Sequence, residues 1–313
     1  MKVQKNLQPK LAAGIPRHYN PPVHLLFPLL SSLLYVAAAL FIKQAASGGV
    51  GPWRTSFVCN WITALLFLAL LPLGGTIPSV AQFYQPAVVA LLFVAGQLLT
   101  FLALDKGDVS VATPVMGVKV VLVAAFSLLF KGETVRWELW LAATLSCIGI
   151  GFLNRGDDEN SVHHDVIRTI ILALLAASCY ASFDVLVTKW SPVWGMGRFL
   201  PVMLLMAAGF SFGFVPLFRE PLKTIPRPSV RPLLLGSFLM GLQAIVLISA
   251  LAKFSDATAI NVIYSPRGLW SVVMVWAIGH WFANREQHLG SKVLQGRLIG
   301  AGFLSAAVVL VFV

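Results

Sequence analysis

Long apolar blocks separated by short polar breaks run through the chain, and they constrain its fold more than any other feature. A block of about 20 apolar residues forms a helix long enough to cross the ~30 Å hydrocarbon core of a bilayer. Backbone polar groups cannot stay unpaired in lipid, so only helices and closed barrels cross it. The blocks are continuous rather than alternating with a period of two, which favours helices. The sequence therefore predicts an all-α integral membrane protein.

The composition supports the same interpretation. Hydrophobic residues make up 58% of the chain and charged residues only 11%, whereas soluble domains have about 45–50% and about 25%. The net charge of +11 would suggest nucleic-acid binding in a soluble protein. Here most cations lie at predicted helix ends and in loops, where they meet anionic lipid headgroups. We predict contact with the lipid bilayer and no nucleic-acid partner.

Ten blocks have the length and apolar character of transmembrane helices. Their predicted bounds are residues 24–42, 53–72, 86–104, 109–130, 137–153, 168–187, 198–218, 231–252, 257–282 and 295–313. The breaks between them carry glycine, proline and aspartate, which favour turns. We predict a multi-pass protein of the cell (inner) membrane that is a monomer or a homodimer.

A polar stretch near the middle divides the chain into two halves. Residues 1–23 form a polar N-terminal tail, residues 24–153 a first five-helix repeat, residues 154–167 a polar linker and residues 168–313 a second five-helix repeat. The linker contains His163-His164 beside carboxylates. Metal sites need ligands at defined spacings, which this stretch lacks. We therefore predict a solvated linker and no metal site.

The two halves resemble each other in sequence. A shift of 148 residues places Asp108 on Asp256 and Lys119 on Arg267. Two further matches in the same order link Tyr35, Lys43 and Arg54 with Tyr180, Lys189 and Arg198, and Gly151-Phe152-Leu153 with Gly302-Phe303-Leu304. Three matches in the same order indicate a duplication of one five-helix unit.

The odd number of helices in each half makes the second half enter the membrane from the opposite side. We therefore predict an inverted repeat, a design that recurs in transporters with the binding site at the repeat interface. Basic residues flank the predicted helices on both sides of the membrane. Taken separately, the basic residues of each half favour a cytoplasmic location for the start of that half, and the two preferences conflict. Because the first half usually sets the orientation, we predict that both termini are cytoplasmic.

Two related motifs carry a resemblance to a known family. Residues 108–114, an apolar helix and Lys131-Gly132-Glu133 in the first half have counterparts in residues 256–261 and Arg285-Glu286. With these motifs the chain resembles the drug/metabolite transporter superfamily, specifically its EamA-type members with ten helices in two halves. The resemblance implies secondary transport. It also implies a role for basic residues of the fourth and ninth helices, which the triose-phosphate and nucleotide-sugar members use.

Lys119 and Arg267 are the strongest candidates for a binding site. A cation near the membrane midplane costs ~2.5–3.5 kcal/mol on insertion scales, so both must face an interior cavity or an anion. Two equivalent cations in an inverted repeat indicate a site for an anionic substrate group. Alternatively, one or both pair with Asp184, the main acidic residue deep within a predicted helix. Asp184 is also a candidate for proton coupling, because intramembrane acids often relay protons.

Other polar side chains are predicted to line the same site. These further substrate-binding candidates are Tyr35, Gln97, Tyr180, Gln243, Asn261 and Tyr264. Tyr264 lies three residues before Arg267 and shares its helical face. For the two glutamines, hydrogen bonding between helices is an equal alternative. For Tyr35 and Tyr180, the alternative is packing alone.

Two common enzyme motifs are absent from the sequence. It has no phosphate-binding loop and no His-Glu-x-x-His, so we predict neither an enzyme nor a cofactor. The predicted function is alternating-access secondary transport of a small organic metabolite with an anionic group. One alternative is an exporter of amino acids or amphipathic compounds, with an aromatic cavity and both cations paired. Another is a membrane scaffold or an intramembrane enzyme.

Overall fold

The computed structural model describes residues 23–107, 109–131, 161–254, 257–264, 267–278 and 291–310, with residues 137, 138, 141, 144, 145, 148, 149 and 152. All regular secondary structure in these ranges is helical. The first half contains α1 (Val23–Ser47), α2 (Pro52–Phe67), α3 (Tyr84–Lys106), α4 (Val109–Val115) and α5 (Lys119–Lys131). The second half contains α6 (Ser161–Trp194), α7 (Met196–Phe210), α8 (Arg227–Phe254), α9 (Ala257–Tyr264), α10 (Arg267–Ile278) and α11 (Ser291–Val309).

Seven segments in the described ranges are long and apolar enough to cross a membrane. They are Leu26–Ser47, Pro52–Leu73, Val80–Asp105, Val111–Phe130, Val166–Trp194, Met196–Leu217 and Arg227–Phe254. The predicted all-helical membrane protein is confirmed at this level. The fifth predicted helix, residues 137–153, lies mostly outside the described residues. The total of ten spans and the inverted repeat stay predictions.

Helix bounds differ from the sequence prediction mainly at the ends. α6 begins at Ser161 rather than at residue 168, because polar residues of the predicted linker continue the helix beyond its apolar block. 3₁₀ segments extend α2 through Leu68–Leu73 and α7 through Ser211–Leu217. Another 3₁₀ segment, Met116–Val118, joins α4 to α5 inside what was predicted as one continuous helix.

A lysine of α1 fixes the end of α3. The last carbonyl groups of a helix have no partner within the helix. Lys43 Nζ donates hydrogen bonds to the carbonyls of Leu104, at 3.0 Å, and Gly107, at 2.6 Å. A cation at a helix C-terminus also interacts favourably with the helix dipole. This contact holds the connection from α3 to α4, and so it helps to position the helix that leads to Lys119.

The two halves pack through their first and third helices. α1 lies against α8, and α3 lies against α6, in the most extensive contacts of the bundle. Gly236 permits the first of these contacts, because a Cβ atom there would lie 3.0 Å from Ile42 Cδ1 and 3.1 Å from Ile42 N. Ser31 Oγ of α1 also donates a hydrogen bond to the Gln243 carbonyl of α8 at 3.1 Å. Small residues and interhelical hydrogen bonds are the usual means of helix association in membranes.

We expect Gly236→Leu to destabilise the protein, because the added side chain has no room between α8 and α1. Overpacking of this kind costs about 1–3 kcal/mol, and the measurement is the apparent unfolding temperature in detergent. Gly209→Leu in α7 is the matched control, since nothing lies within 4 Å of a Cβ atom at that position. Equal losses in the two variants would show that the α1–α8 contact does not limit stability.

Candidate functional site

A cavity of about 50 Å³ lies inside the bundle, between helices of both halves. Eight of the nine predicted site residues line it, namely Tyr35, Gln97, Lys119, Tyr180, Asp184, Gln243, Tyr264 and Arg267. The ninth, Asn261, is buried and donates a hydrogen bond to Asp184. The structure therefore brings the predicted residues together, and their contact with a substrate stays a prediction.

Lys119, Asp184 and Asn261 form a buried polar cluster beside the cavity. Lys119 Nζ lies 2.6 Å from Asp184 Oδ2, and the two side chains are 5% and 1% exposed. Asn261 Nδ2 donates to the same carboxylate oxygen at 2.6 Å and to the carbonyl of Ala257 at 2.8 Å. The carboxylate thus neutralises the lysine charge, which is the contact expected if Asp184 has a structural role. Removing one partner would leave the other as an unpaired buried charge.

Arg267 is buried without a carboxylate partner among the residues that the structure describes. The salt bridges there involve Arg54 and Lys119 instead. Arg267 Nη2 donates to the carbonyl of Met116 at 2.7 Å, and Nε has no hydrogen-bond acceptor. The guanidinium carbon lies 4.3 Å from the centre of the Tyr264 ring, within the range of a cation–π interaction. The arginine is therefore held in place, but no described carboxylate neutralises its charge and its Nε donor has no acceptor.

The interruption of the fourth predicted helix explains how Met116 reaches Arg267. α4 ends at Val115, and the 3₁₀ segment Met116–Val118 precedes α5. Pro114, in the last turn of α4, has no N–H and so cannot donate the hydrogen bond of a regular helix there. Irregular backbone at membrane depth is tolerated where the protein interior or cavity water satisfies its polar groups. A cation of the second half thus binds the interrupted helix of the first half.

Three tyrosines surround the two cations. The rings of Tyr35 and Tyr264 meet edge to face, with their centres 6.2 Å apart. The Tyr35 hydroxyl donates to Met116 Sδ at 3.3 Å. Lys119 Nζ lies 5.6 Å from the centre of the Tyr180 ring and 5.9 Å from that of Tyr264. The aromatic faces stabilise the buried cations without neutralising them.

The two predicted glutamines differ in their contacts. Gln97 Oε1 accepts a hydrogen bond from Ser56 Oγ at 3.2 Å, and its Nε2 lies 3.4 Å from Cys59 Sγ. This amide therefore links α3 to α2, as expected if its role is interhelical hydrogen bonding. Gln243 contacts Ser31 through its backbone carbonyl, and it also lines the cavity.

The apolar part of the cavity wall was not predicted. Its members are Phe93, Met116, Phe183, Met240, Ala244, Leu247 and Ile248. The predicted lining consists of polar residues only, but helical spacing contains the missing signal. Phe93 lies four residues before Gln97, and Phe183 lies three residues after Tyr180, so each shares a helical face with a predicted residue. These side chains make the cavity amphipathic rather than wholly polar.

The charged groups of the cavity leave one positive charge unpaired. Its lining contains two cations, Lys119 and Arg267, and one carboxylate, Asp184. Because the carboxylate binds the lysine, the excess positive charge lies at Arg267. Within the described ranges, no group of three or more His, Cys, Asp or Glu side chains is placed to hold a metal ion.

Comparisons with known proteins agree with the sequence resemblance. Residues 23–155 match the model of the EamA-like transporter family. A solved crystal structure of another protein is similar in fold, with a TM-score of 0.59 and 16% sequence identity over 92% of this chain and 98% of that chain. No curated protein matches the sequence.

The apolar helices identify a membrane protein, and the family match makes residues 23–155 transporter-like. The predicted resemblance to the EamA-like transporter family, within the drug/metabolite transporter superfamily, is confirmed over residues 23–155.

Proposed function

We propose that this protein is a secondary transporter of small organic compounds that carry one negative charge and an apolar body. The observation that carries the proposal is the uncompensated charge of Arg267 at the central cavity. Burying a charge without a partner is costly. A carboxylate or phosphate group offers the guanidinium a charge-assisted, bidentate partner. Arg267 is therefore the primary binding residue for the substrate anion.

The cavity wall supports an amphipathic substrate. Small-molecule sites have volumes of about 300–1,000 Å³ and are mostly apolar, with a few polar groups that orient the ligand. The central cavity has such walls of aromatic and aliphatic side chains, although its volume in this structure is only about 50 Å³. Tyr35 and Tyr180 lie beside the cations and supply hydroxyl groups for a polar part of the substrate.

The pattern of helix contacts supports an inverted repeat and alternating access. Contacts between the halves are reciprocal, because the first helix of each half packs on the third of the other, as α1 on α8 and α6 on α3. The fourth and ninth predicted helices also make reciprocal contacts, of α4 with α10 and of α5 with α9. Motion of one half against the other around the shared site is a common transport mechanism. We propose this mechanism here, with both termini in the cytoplasm.

The pairing of Lys119 with Asp184 favours a second candidate substrate class, amino acids or other amphipathic compounds. With the lysine neutralised, aromatic and aliphatic side chains dominate the remaining surface of the cavity. A zwitterion would place its carboxylate at Arg267 and its ammonium group against a tyrosine ring. The two candidates differ in whether a positive group on the substrate helps or hinders binding.

We expect purified protein in liposomes to exchange radiolabelled organic monoanions across the membrane in a saturable manner. A suitable panel compares an aromatic carboxylate, its uncharged amide, the matching amino acid and a phosphate monoester. Faster exchange of the simple anions supports the first candidate, and faster exchange of the amino acid supports the second. Liposomes without protein are the control. No exchange of any compound, together with no thermal stabilisation, would contradict transport and favour a scaffold or an intramembrane enzyme.

A further inference from the structure

A second and larger cavity lies at the end of the bundle where α1 ends and α2 begins. It has a volume of about 380 Å³ and shares no lining residue with the central cavity. Its wall includes Arg54 of α2, Arg168 of α6 and Arg219 after α7, and its acidic residue is Asp105 of α3. The three positive charges outnumber the carboxylates of Asp105 and of Glu220, which lies near Arg54, and so this cavity is basic. We call it the Arg54 cavity.

Arg54 is the buried cation of this cavity. It is only 5% exposed, although its side chain is permanently charged. Nη2 donates to the carbonyl of Gly49 at 2.7 Å, whereas Nη1 has no hydrogen-bond acceptor. The carboxylate of Glu220 lies 3.9 Å from Nη1, too far for a hydrogen bond, and its side chain is mostly exposed to solvent. The guanidinium therefore has a buried donor that an anion in the cavity would satisfy.

The N-terminus of α2 adds a second feature that attracts anions. Gly51, Pro52 and Trp53 at this helix end also line the cavity. The cap residue, Gly51, has no side chain to accept the first helical N–H groups, and the first turn contains no acidic residue. The positive end of the helix dipole is therefore not offset locally. The helix end and the unsatisfied donor of Arg54 lie in the wall of one cavity and favour the same kind of ligand.

Exposed apolar surface adjoins the cavity on the side of α7. Phe212, Val215 and Leu217 are exposed on the 3₁₀ segment after that helix, and Leu217 also lines the cavity. A basic cavity at helix ends beside an apolar surface suits a phospholipid, whose phosphate meets the basic residues at the membrane surface. Its acyl chains would then lie along the apolar residues.

We propose that the Arg54 cavity binds a phosphate oxyanion, supplied by the headgroup of an anionic phospholipid or by a soluble phosphate ester. Arg54 makes the inner contact, and Arg168 and Arg219 bind the anion from the more exposed part of the wall. The proposal is independent of substrate transport, because no residue of the central cavity takes part.

The test measures thermal stabilisation of the purified full-length protein in detergent by phosphatidylglycerol, phosphatidylcholine and glycerol phosphate. The test variant is Arg168→Gln/Arg219→Gln, which changes exposed residues and leaves the buried Arg54 in place. The matched control is Arg227→Gln/Arg231→Gln, which removes two exposed arginines from the first turns of α8, outside the cavity. Each basic residue near a membrane surface contributes about a fivefold change in affinity.

We expect phosphatidylglycerol to stabilise the wild type far more than phosphatidylcholine does, and the test variant to bind it about 25-fold more weakly. The control variant should bind as the wild type does. Equal stabilisation by glycerol phosphate would identify a soluble ester as the ligand, whereas a requirement for the acyl chains would identify a lipid. Unchanged binding in the test variant, or an equal loss in the control variant, would overturn the proposal.

Discussion

Replacing Arg267 by glutamine is expected to weaken the binding of organic monoanions about a hundredfold and to stop their transport. Truncating one partner of a buried charge pair costs about 2–5 kcal/mol, and about 2.7 kcal/mol corresponds to a factor of a hundred. Arg267 provides the unpaired positive charge of the central cavity, whereas Lys119 is already bound to Asp184. The measurements are Kd by titration calorimetry and exchange rates in liposomes.

Arg267→Lys is the matched variant for this experiment. Lysine keeps the charge but loses the planar fork that binds an oxyanion through two hydrogen bonds, so we expect an intermediate affinity. Arg267 also donates a hydrogen bond to the carbonyl of Met116, so both variants need a check of unfolding temperature and gel-filtration profile. Wild-type transport by a well-folded Arg267→Gln variant would contradict the proposed binding site.

Replacing Asp184 by alanine is expected to destabilise the protein by about 3–5 kcal/mol, because the change leaves the charge of Lys119 buried and unpaired. The two groups lie 2.6 Å apart, and both side chains are almost fully buried. Asn261 would lose the acceptor of its 2.6 Å hydrogen bond at the same time. We expect a large fall in apparent unfolding temperature and a low yield of monodisperse protein.

A double variant separates loss of the pair from loss of packing. In Lys119→Met/Asp184→Leu both charges are replaced by apolar side chains of similar size, and such exchanges are often neutral or stabilising. We therefore expect this variant to recover most of the stability lost by Asp184→Ala. If the single variant is as stable as the wild type, the ion pair has no part in holding the bundle together.

The same double variant tests the predicted proton coupling through Asp184. If the pair is purely structural, the double variant should still exchange substrate and should respond to a pH gradient as the wild type does. If Asp184 carries the coupling proton, exchange of substrate should persist while uptake driven by a pH gradient is lost. Exchange is thus the control for folding, and the response to the gradient identifies the role of the carboxylate.

The two buried cations of the central cavity could be predicted from the sequence because a strong physical constraint acts on them. Lys119 and Arg267 are cations within apolar blocks, and charges are expensive at that depth. Their equivalence under the 148-residue shift related them across the halves. The structure places both at one cavity. Both residues can be recognised without knowledge of tertiary contacts, because a charged residue within an apolar block of the sequence already indicates a buried charge.

The partner of each cation could not be predicted. Asp184 is one carboxylate for two cations, and sequence spacing does not determine which one it meets in space. The structure pairs it with Lys119, while Arg267 binds a backbone carbonyl. That carbonyl belongs to a 3₁₀ segment, and a proline indicates an interruption without specifying which carbonyl accepts the new bond. Tertiary packing decides both points.

The decisive measurement compares the binding of two matched ligands. They are an aromatic carboxylate and its uncharged carboxamide. The two have nearly the same size and shape, so the difference in their Kd values isolates the contribution of the single negative charge. We expect the carboxylate to bind the wild type at least about tenfold more tightly than the amide. This preference should disappear in Arg267→Gln. Equal affinities in the wild type would contradict an anion site at Arg267.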